Sequence, residues 1–236
     1  MRVIVFSLAL ASCLVAGCQP VMYLPSPLAT APTEGVEVGI GASVAPLQAS
    51  GRVAAALPKG LGVYVQGVGA NSWGADNLER YAGHTFEAGL VGRVALSEQT
   101  DGTGSVSYGS GRTQSYRFGS GSASVEGRVR RQSLSVGLAR TLNAPSGLLR
   151  PEASLRLTHV QLSDLQQGRS GEPLENASAL FAEPMVRLRL TTKVFYLEQQ
   201  VGLSLLTSPS YQDDFDFFPV FAETYLGVNL TRLFRR

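Results

Sequence analysis

The residues best placed to do chemistry are acidic and basic side chains that share one face of alternating segments. This set comprises Glu37, Glu87, Arg93, Arg156, Glu183, Arg187, Arg189, Glu198 and Glu223. Charges enclosed in a space of low dielectric constant are costly unless they are paired, so we expect mutual ion pairing. The set then forms a plug of ion pairs. The alternative is a selective pore or a small-ligand site built from the same side chains.

Two smaller groups could bind a metal or act as acid–base catalysts. Asp213, Asp214 and Asp216 lie among aromatic residues, but their spacing is not that of an EF-hand calcium loop. We predict a solvated loop with aromatic side chains at a membrane interface. His84 and His159 lack the Asp–Asp and Asp–His pairs at matching strand positions that a barrel hydrolase of the omptin type would use. We therefore expect no enzyme, no metal site and no cofactor.

The segments that carry these charges alternate with a period of two residues, which is the period of a β-strand. Val36, Val38 and Ile40 share one face, for example, and Glu37 lies on the other. The runs are about 9 to 14 residues long, which fits tilted transmembrane strands better than the shorter strands of most sheets. We predict ten strands, with eight as an alternative, at residues 35–45, 50–57, 61–70, 84–97, 103–117, 122–142, 150–162, 179–192, 194–207 and 219–234.

The sixth predicted strand contains an irregularity. Its apolar phase shifts between Val129 and Leu134. Either a β-bulge or an extension of the strand above the bilayer would explain this shift. The fold class that follows is all-β, an antiparallel up-and-down transmembrane β-barrel.

The N-terminus has the pattern of an export signal, in which an apolar run too short to span a membrane follows a basic residue. The run ends Leu14-Val15-Ala16-Gly17-Cys18, which resembles the lipobox of bacterial lipoproteins. The resemblance implies that residues 1–17 are removed and that Cys18 is acylated, with palmitate or a similar chain, as a lipid anchor. Gln19 is not the aspartate that retains lipoproteins at the inner membrane, so the implied location is the outer membrane.

Residues 18–34 contain four prolines among small residues, a composition that favours an extended, semi-rigid tether. At about 3.1 Å per residue the tether could reach roughly 50 Å. This length would carry it from a membrane leaflet to a barrel rim, or around part of one. The predicted barrel domain then occupies residues 35–236.

The predicted connections support this topology. We assume that the first strand starts on the periplasmic side, together with the lipid anchor. The even-numbered connections are then periplasmic and short, at 58–60, 98–102, 143–149 and 192–193, whereas the three longest, at 71–83, 163–178 and 208–218, are all odd-numbered. Short periplasmic turns and long outer loops are typical of outer-membrane barrels. We therefore expect the long loops to face outside.

The amino-acid composition argues against several classes of protein and of partner. Only 16% of the residues are charged and 44% are hydrophobic, which argues against an ordinary soluble enzyme and against a disordered chain. Arginines are interleaved with acids and form no basic stripe, so we expect no nucleic-acid partner. A periplasmic lipoprotein with a soluble lipocalin-like barrel or β-sandwich, binding a hydrophobic ligand, would also alternate, with its apolar face inward.

The lipobox, the alternating strand around Glu183-Pro184 and the closing Tyr225-Leu226-Gly227-Val228-Asn229-Leu230 together resemble small Gram-negative outer-membrane β-barrel lipoproteins. The last strand is similar to the assembly signal of such barrels, with Phe234 as the terminal aromatic residue. The resemblance implies a structural, binding or minor transport role. It also implies three partners: outer-membrane lipid, the lipoprotein-processing machinery and the barrel-assembly machinery.

Overall fold

The computed structural model describes residues 21–23, 25, 27–29, 32, 34–45, 47–73, 79–117, 124–144, 147–167, 171–209, 216–217 and 220–234. The predicted lipid attachment site Cys18 and the acidic loop residues Asp213 and Asp214 lie outside these residues. Asp216 is described only in its backbone.

Ten antiparallel strands form one closed barrel, as the alternation predicted. They are β1 (Val36–Ala45), β2 (Leu47–Ala56), β3 (Leu61–Trp73), β4 (Glu79–Ala95), β5 (Thr100–Arg117), β6 (Ser124–Arg140), β7 (Gly147–Gln167), β8 (Ala177–Thr191), β9 (Phe195–Leu203, continued by Leu205–Pro209) and β10 (Val220–Asn229). Each strand pairs with the next along the chain, and β10 pairs with β1 to close the barrel. The fold class and the count of ten strands are thus confirmed.

The two ends of the barrel differ. One end, the short-turn end, carries the connecting residues 57–60, 96–99, 141–144 and 192–194, together with the start of β1. The other end, the long-loop end, carries the connections after β3, β5, β7 and β9. Several strands run further toward the long-loop end than predicted, so β7 has 21 residues whereas β1 and β2 have 10 each. The wall is therefore tall at β4 to β8 and low at β10, β1 and β2.

The last strand is shorter than predicted. β10 ends at Asn229, and Leu230–Phe234 forms a helical turn, α1, so Phe234 is not the terminal residue of a strand. The Asn229 side-chain oxygen accepts a hydrogen bond from the backbone N–H of Arg232 at 3.0 Å, as a helix N-cap does. This local bond replaces the strand pairing that residues beyond 229 would need. Among the described residues, no helix is long and apolar enough to cross a membrane.

Alternation along the strands separates an apolar outer face from a polar lumen. Ile40 is 69% exposed and Val136 is 61% exposed on the outer face. Other exposed apolar side chains there are Val53, Val65, Phe86, Leu90, Leu134, Leu138, Val186, Leu188, Leu197, Val201 and Leu226. A soluble barrel with an apolar interior would show the opposite arrangement. The outward apolar face contradicts that alternative and fits contact with lipid.

Pro184 explains the one interruption in β9. Proline has no backbone N–H, so it cannot complete a ladder between two neighbouring strands. The pairing of β8 with β9 accordingly stops between Met185–Gly202 and Ala182–Leu205. Ser204 lies in the gap, where its hydroxyl donates a hydrogen bond to Glu183 at 3.0 Å. The interruption in strand pairing therefore coincides with a hydroxyl group that donates to a buried carboxylate of the lumen.

Candidate functional site

The lumen contains a network of buried charges that comes from inward positions of nearly every strand. Among the described residues, the buried inward charges are the glutamates 37, 87, 152, 183, 198 and 223 and the arginines 52, 131, 156, 187 and 189. Unpaired charges in such a space would be strongly destabilising. The contacts of each carboxylate therefore decide what the network can do.

Two ion pairs join β7 to β8 between residues that lie directly opposite each other. Glu183 faces Arg156, and Arg187 faces Glu152. Both pairs have a nitrogen–oxygen distance of 2.6 Å. Glu183 also accepts a hydrogen bond from Thr158 at 2.7 Å, which together with Ser204 gives this buried carboxylate three partners. A carboxylate held in this way is a fixed structural element of the wall.

A third pair crosses a strand that lies between its partners. Glu87 on β4 and Arg131 on β6 are 2.5 Å apart, and the residue level with both on β5 is Gly109. A Cβ atom at Gly109 would lie 2.9 Å from the Arg131 side chain, so glycine leaves the path open. Tyr64 and Gln66 also donate hydrogen bonds to Glu87, Gln66 at 3.2 Å. The lumen wall is therefore cross-linked over three strands at this level.

Charges nearer the short-turn end form a connected group around Glu198. One nitrogen of Arg189 lies 2.8 Å from both carboxylate oxygens of Glu37, and another lies 3.8 Å from Glu198. The Arg189 guanidinium also stacks 4.0 Å from the centre of the Tyr196 ring, a cation–π contact. Arg52 reaches the same Glu198 carboxylate at 3.4 Å. The Glu198 carboxylate therefore joins β2, β8 and β9, and Arg189 adds β1 through Glu37.

Two residues of the sequence-predicted set have other surroundings. Glu223 accepts hydrogen bonds from the Ser50 hydroxyl and, at 3.4 Å, from the Gln48 amide. Arg93 lies at the short-turn end, where it is half-buried and 4.0 Å from Asp101. Asp101 makes a closer pair with Arg150 at 2.9 Å. Arg93 therefore belongs to a separate pair near the rim.

Sequence reasoning missed Arg52, Arg131 and Glu152, which complete the network. Glu152 has the same parity as Arg156 on β7, so the alternation that selected Arg156 could also have selected it. Arg52 shares the inward face with Ser50 and Ala54 in a short strand with few charges. Arg131 lies in the part of the sixth strand where the apolar phase shifts, so its orientation could not be assigned from the pattern alone.

The described tether residues at 25, 27–29 and 32 lie inside the barrel, whereas the composition predicted a spacer that reaches or wraps the barrel rim. Pro25, Pro27, Leu28, Ala29 and Pro32 are all buried. The Leu28 carbonyl accepts hydrogen bonds from Arg187 at 2.9 Å and from Arg52 at 3.2 Å. An extended chain makes no hydrogen bonds within itself, so its backbone groups are free to satisfy donors of the lumen.

Further polar contacts hold the same stretch. The Gln66 amide donates to the Pro27 carbonyl at 2.9 Å, and the Leu28 N–H donates to Gln200 at 3.2 Å. The enclosed space between Leu28, Ala29 and the wall of β4 to β8 is about 10 Å³, room for at most one water molecule. A larger cavity of about 1010 Å³ opens at the long-loop end, where Thr113, Gly127 and Leu165 are among its lining residues. Little free space therefore remains between residues 28 and 29 and the wall of β4 to β8, whereas a cavity opens at the long-loop end.

The two histidines lie apart from this network. His84 on β4 and His159 on β7 occupy outward positions of the wall and are separated by two strands. His84 contacts Phe86 edge to face, with 6.5 Å between the ring centres. Within the part of the chain that the structure describes, no group of three or more His, Cys, Asp or Glu side chains could hold a metal ion.

Comparison with known proteins supports the fold. No protein-family model and no curated protein matches the chain. The translocator domain of the autotransporter NalP from Neisseria meningitidis is similar, with a TM-score of 0.51 and 13% identity over 84% of this chain and 88% of that one. The outer-membrane protease OmpT from Escherichia coli aligns with a TM-score of 0.41 and 9% identity, over 82% of this chain and 90% of that one. At such identities the likeness shows the fold alone, which is that of an outer-membrane β-barrel.

Proposed function

We propose that this protein is a lipid-anchored outer-membrane barrel whose lumen is held shut by its own N-terminal segment. Its role is then structural or binding, and passive conduction through an open pore is not part of it. The observation that carries the proposal is the Leu28 carbonyl, which accepts hydrogen bonds from Arg52 and Arg187 on opposite sides of the lumen.

Closure is favoured by the size of the barrel and by its contents. Ten strands enclose a lumen far narrower than that of a porin. Bulky, paired side chains such as Arg189 and Tyr196 already fill part of it. The tether then occupies the remaining space and binds the arginines that face it. A minor transport role would require the tether to be displaced, which would leave Arg52 and Arg187 without the Leu28 carbonyl.

Membrane placement and anchoring have separate support. The outward apolar side chains suit a lipid environment, and the lipobox at Leu14 to Cys18 supports acylation. The contrast between short turns and long connections supports an orientation with the long loops toward the medium.

Conductance in planar lipid bilayers tests the closure. We expect no current steps from the purified full-length mature chain, and discrete steps from a variant that lacks residues 21–32. A variant with Thr207→Ala, outside the lumen, is the matched control and should stay silent. Steady conduction by the unaltered chain would contradict the proposal. A silent deletion variant would show that the ion pairs close the lumen without the tether.

Orientation is tested by thiol labelling on intact cells. The mature chain has no cysteine other than the one predicted to be acylated, so an introduced cysteine gives a single reactive thiol. Cysteine at Gln166, exposed near the long-loop end, should react with an impermeant reagent. Cysteine at Lys193, exposed at the short-turn end, should react only after the outer membrane is permeabilised. The reverse pattern would show that the barrel has the opposite orientation.

A further inference from the structure

We infer that the N-terminal segment crosses the barrel once, from the long-loop end to the short-turn end, so that the acylated Cys18 lies at the long-loop end and anchors in the outer leaflet. This inference rests on the proposed lipid anchor and on the proposed outward orientation of the long loops, and it deepens both because it assigns the anchor to a face of the membrane. It replaces the expectation that the anchor lies on the periplasmic side, next to the start of β1.

The lower end of the segment is fixed at the short-turn end. The Gly35 carbonyl accepts a hydrogen bond from the N–H of Ala56, the last residue of β2, at 2.7 Å. The Glu34 carbonyl accepts one from the Asn229 side chain at 2.9 Å, and the Glu34 carboxylate pairs with Arg232 of α1. Residues 34 and 35 therefore lie where β1 begins and β10 ends.

The middle of the segment is fixed inside the barrel. The polar contacts of Pro27 and Leu28 come from β2, β3, β8 and β9, which lie on different sides of the lumen. Ala29 packs with Ala54, Tyr64 and Val91 on three further inward positions. A segment with neighbours on all these strands lies in the interior of the barrel.

The upper end of the segment reaches the long-loop end. Val21–Tyr23 pairs in parallel with Asp216–Phe217, which belongs to the connection after β9. Eleven residue steps separate residues 23 and 34, which at about 3.1 Å per step span roughly 34 Å. The apolar band of an outer-membrane barrel is about 25 Å tall. The stretch is thus long enough for one crossing with little slack.

Chain length then decides where the anchor lies. Cys18 precedes Val21 by three residues, which extend over about 11 Å at most. This reach is less than half of the height of the apolar band, so the chain cannot return through or around the wall to the opposite face. The acyl chains and the long loops therefore share one side of the membrane. The segment is held at both ends, by lipid above and by α1 below, which keeps the closing segment in place.

A protease site tests the side of the anchor. A recognition sequence is inserted between Gln19 and Pro20 in the full chain, and cells are labelled with radioactive palmitate. Protease added to intact cells should remove the label from the barrel and leave the barrel in the membrane. The same sequence inserted after Glu98, in an exposed turn of the short-turn end, is the matched control and should be cut only after permeabilisation.

The possible outcomes distinguish failure of this inference from failure of the proposed lipid anchor. A labelled barrel that loses its label only after permeabilisation would overturn the inference and leave the lipid anchor intact. A barrel that carries no label would overturn the lipid anchor. Cleavage of the inserted site, followed by the mass of the barrel fragment, would still report where residues 19 and 20 lie.

A disulfide tests the path through the lumen by itself. Ala29 and Ala54 are buried neighbours, so the double variant Ala29→Cys and Ala54→Cys should form a disulfide on oxidation, detected as a cross-linked peptide by mass spectrometry. In the control the second cysteine replaces Ala55, which has the opposite parity and points away from the lumen. Absence of the first cross-link, or equal amounts of both, would overturn the path.

Discussion

The barrel wall has two regions with opposite character, and the change occurs within one strand. On β8 the inward side chain at 181 is a phenylalanine and the next inward side chain, at 183, is a glutamate, both completely buried. Toward the short-turn end the lumen is charged and the outer face is apolar, as at Val186 and Leu188. Toward the long-loop end of β6 to β8 the inward residues are apolar, as at Val129, Val160 and Leu162, and outward residues such as Gln161 are polar.

The inward–outward alternation of side chains is the same in both regions, whereas the kind of side chain on each face differs. Pairing of β6 with β7 continues without a shift from Arg128 to Ala139, so no bulge lies between Val129 and Leu134. Val129 points inward and packs with Val160, Leu162 and Phe181, whereas Leu134 points outward. The apolar phase shifts because apolar residues change from the outward to the inward face along one regularly paired strand. The regular pairing excludes a β-bulge, which leaves the extension above the bilayer as the explanation that we favour.

The largest expected effect comes from the charged region. Glu183→Ala leaves Arg156 buried without its carboxylate and should lower the free energy of unfolding by about 3–5 kcal/mol, the range for one lost partner of a buried pair. Refolding in lipid vesicles, followed by tryptophan fluorescence in guanidinium, measures it. Adding Arg156→Ala should recover part of the loss. Equal stability of the single variant and the unaltered chain would mean that water enters the lumen at this level.

A cavity created in the apolar region should lower the free energy of unfolding. Leu162 packs in the upper cluster, so Leu162→Ala should cost about 2–5 kcal/mol. Leu157 on the same strand points outward toward lipid, and Leu157→Ala should cost less because acyl chains can fill the space. The two variants are compared by the same unfolding assay. A larger loss at 157 than at 162 would reverse the assignment of the two regions.

A charge on the outer face should distinguish lipid from water. Leu188→Arg places a cation in the apolar band and should destabilise by about 2–4 kcal/mol if the site lies near the midplane. Gln161→Arg, outward in the upper region, should change stability by less than about 0.5 kcal/mol. Unfolding in vesicles of both variants provides the test, and equal costs would argue against a membrane boundary between these positions.

The smallest effect is expected for the exposed ion pair of the upper region. Arg128 and Asp164 are 3.2 Å apart, with side chains 58% and 62% exposed. A double-mutant cycle with alanine at both positions should give a coupling of at most about 1 kcal/mol, which salt should reduce further. The same cycle at Glu37 and Arg189 should give a larger coupling with little salt dependence. Equal values would mean that the lumen screens charges as water does.

Much of the fold followed from local pattern. Period-two alternation was enough to predict ten strands because successive residues of a barrel strand face outward and into the lumen in turn, as Ile40 and Glu37 do. Strand ends were harder to predict. The extra residues of β7 carry a mixed pattern, because toward the long-loop end outward residues such as Gln161 are polar and inward residues such as Leu162 are apolar.

The sequence by itself determined the parity of the strands, the low charge of the wall and the positions of the short turns, because each depends on neighbouring residues along the chain. Only the tertiary structure decided which charges meet. Arg131 reaches Glu87 across Gly109, and Leu28 meets Arg52 and Arg187, because barrel closure brings together residues that are far apart in the chain. The path of the tether was likewise decided in three dimensions, since an extended proline-rich segment has the same local conformation outside a barrel as inside it.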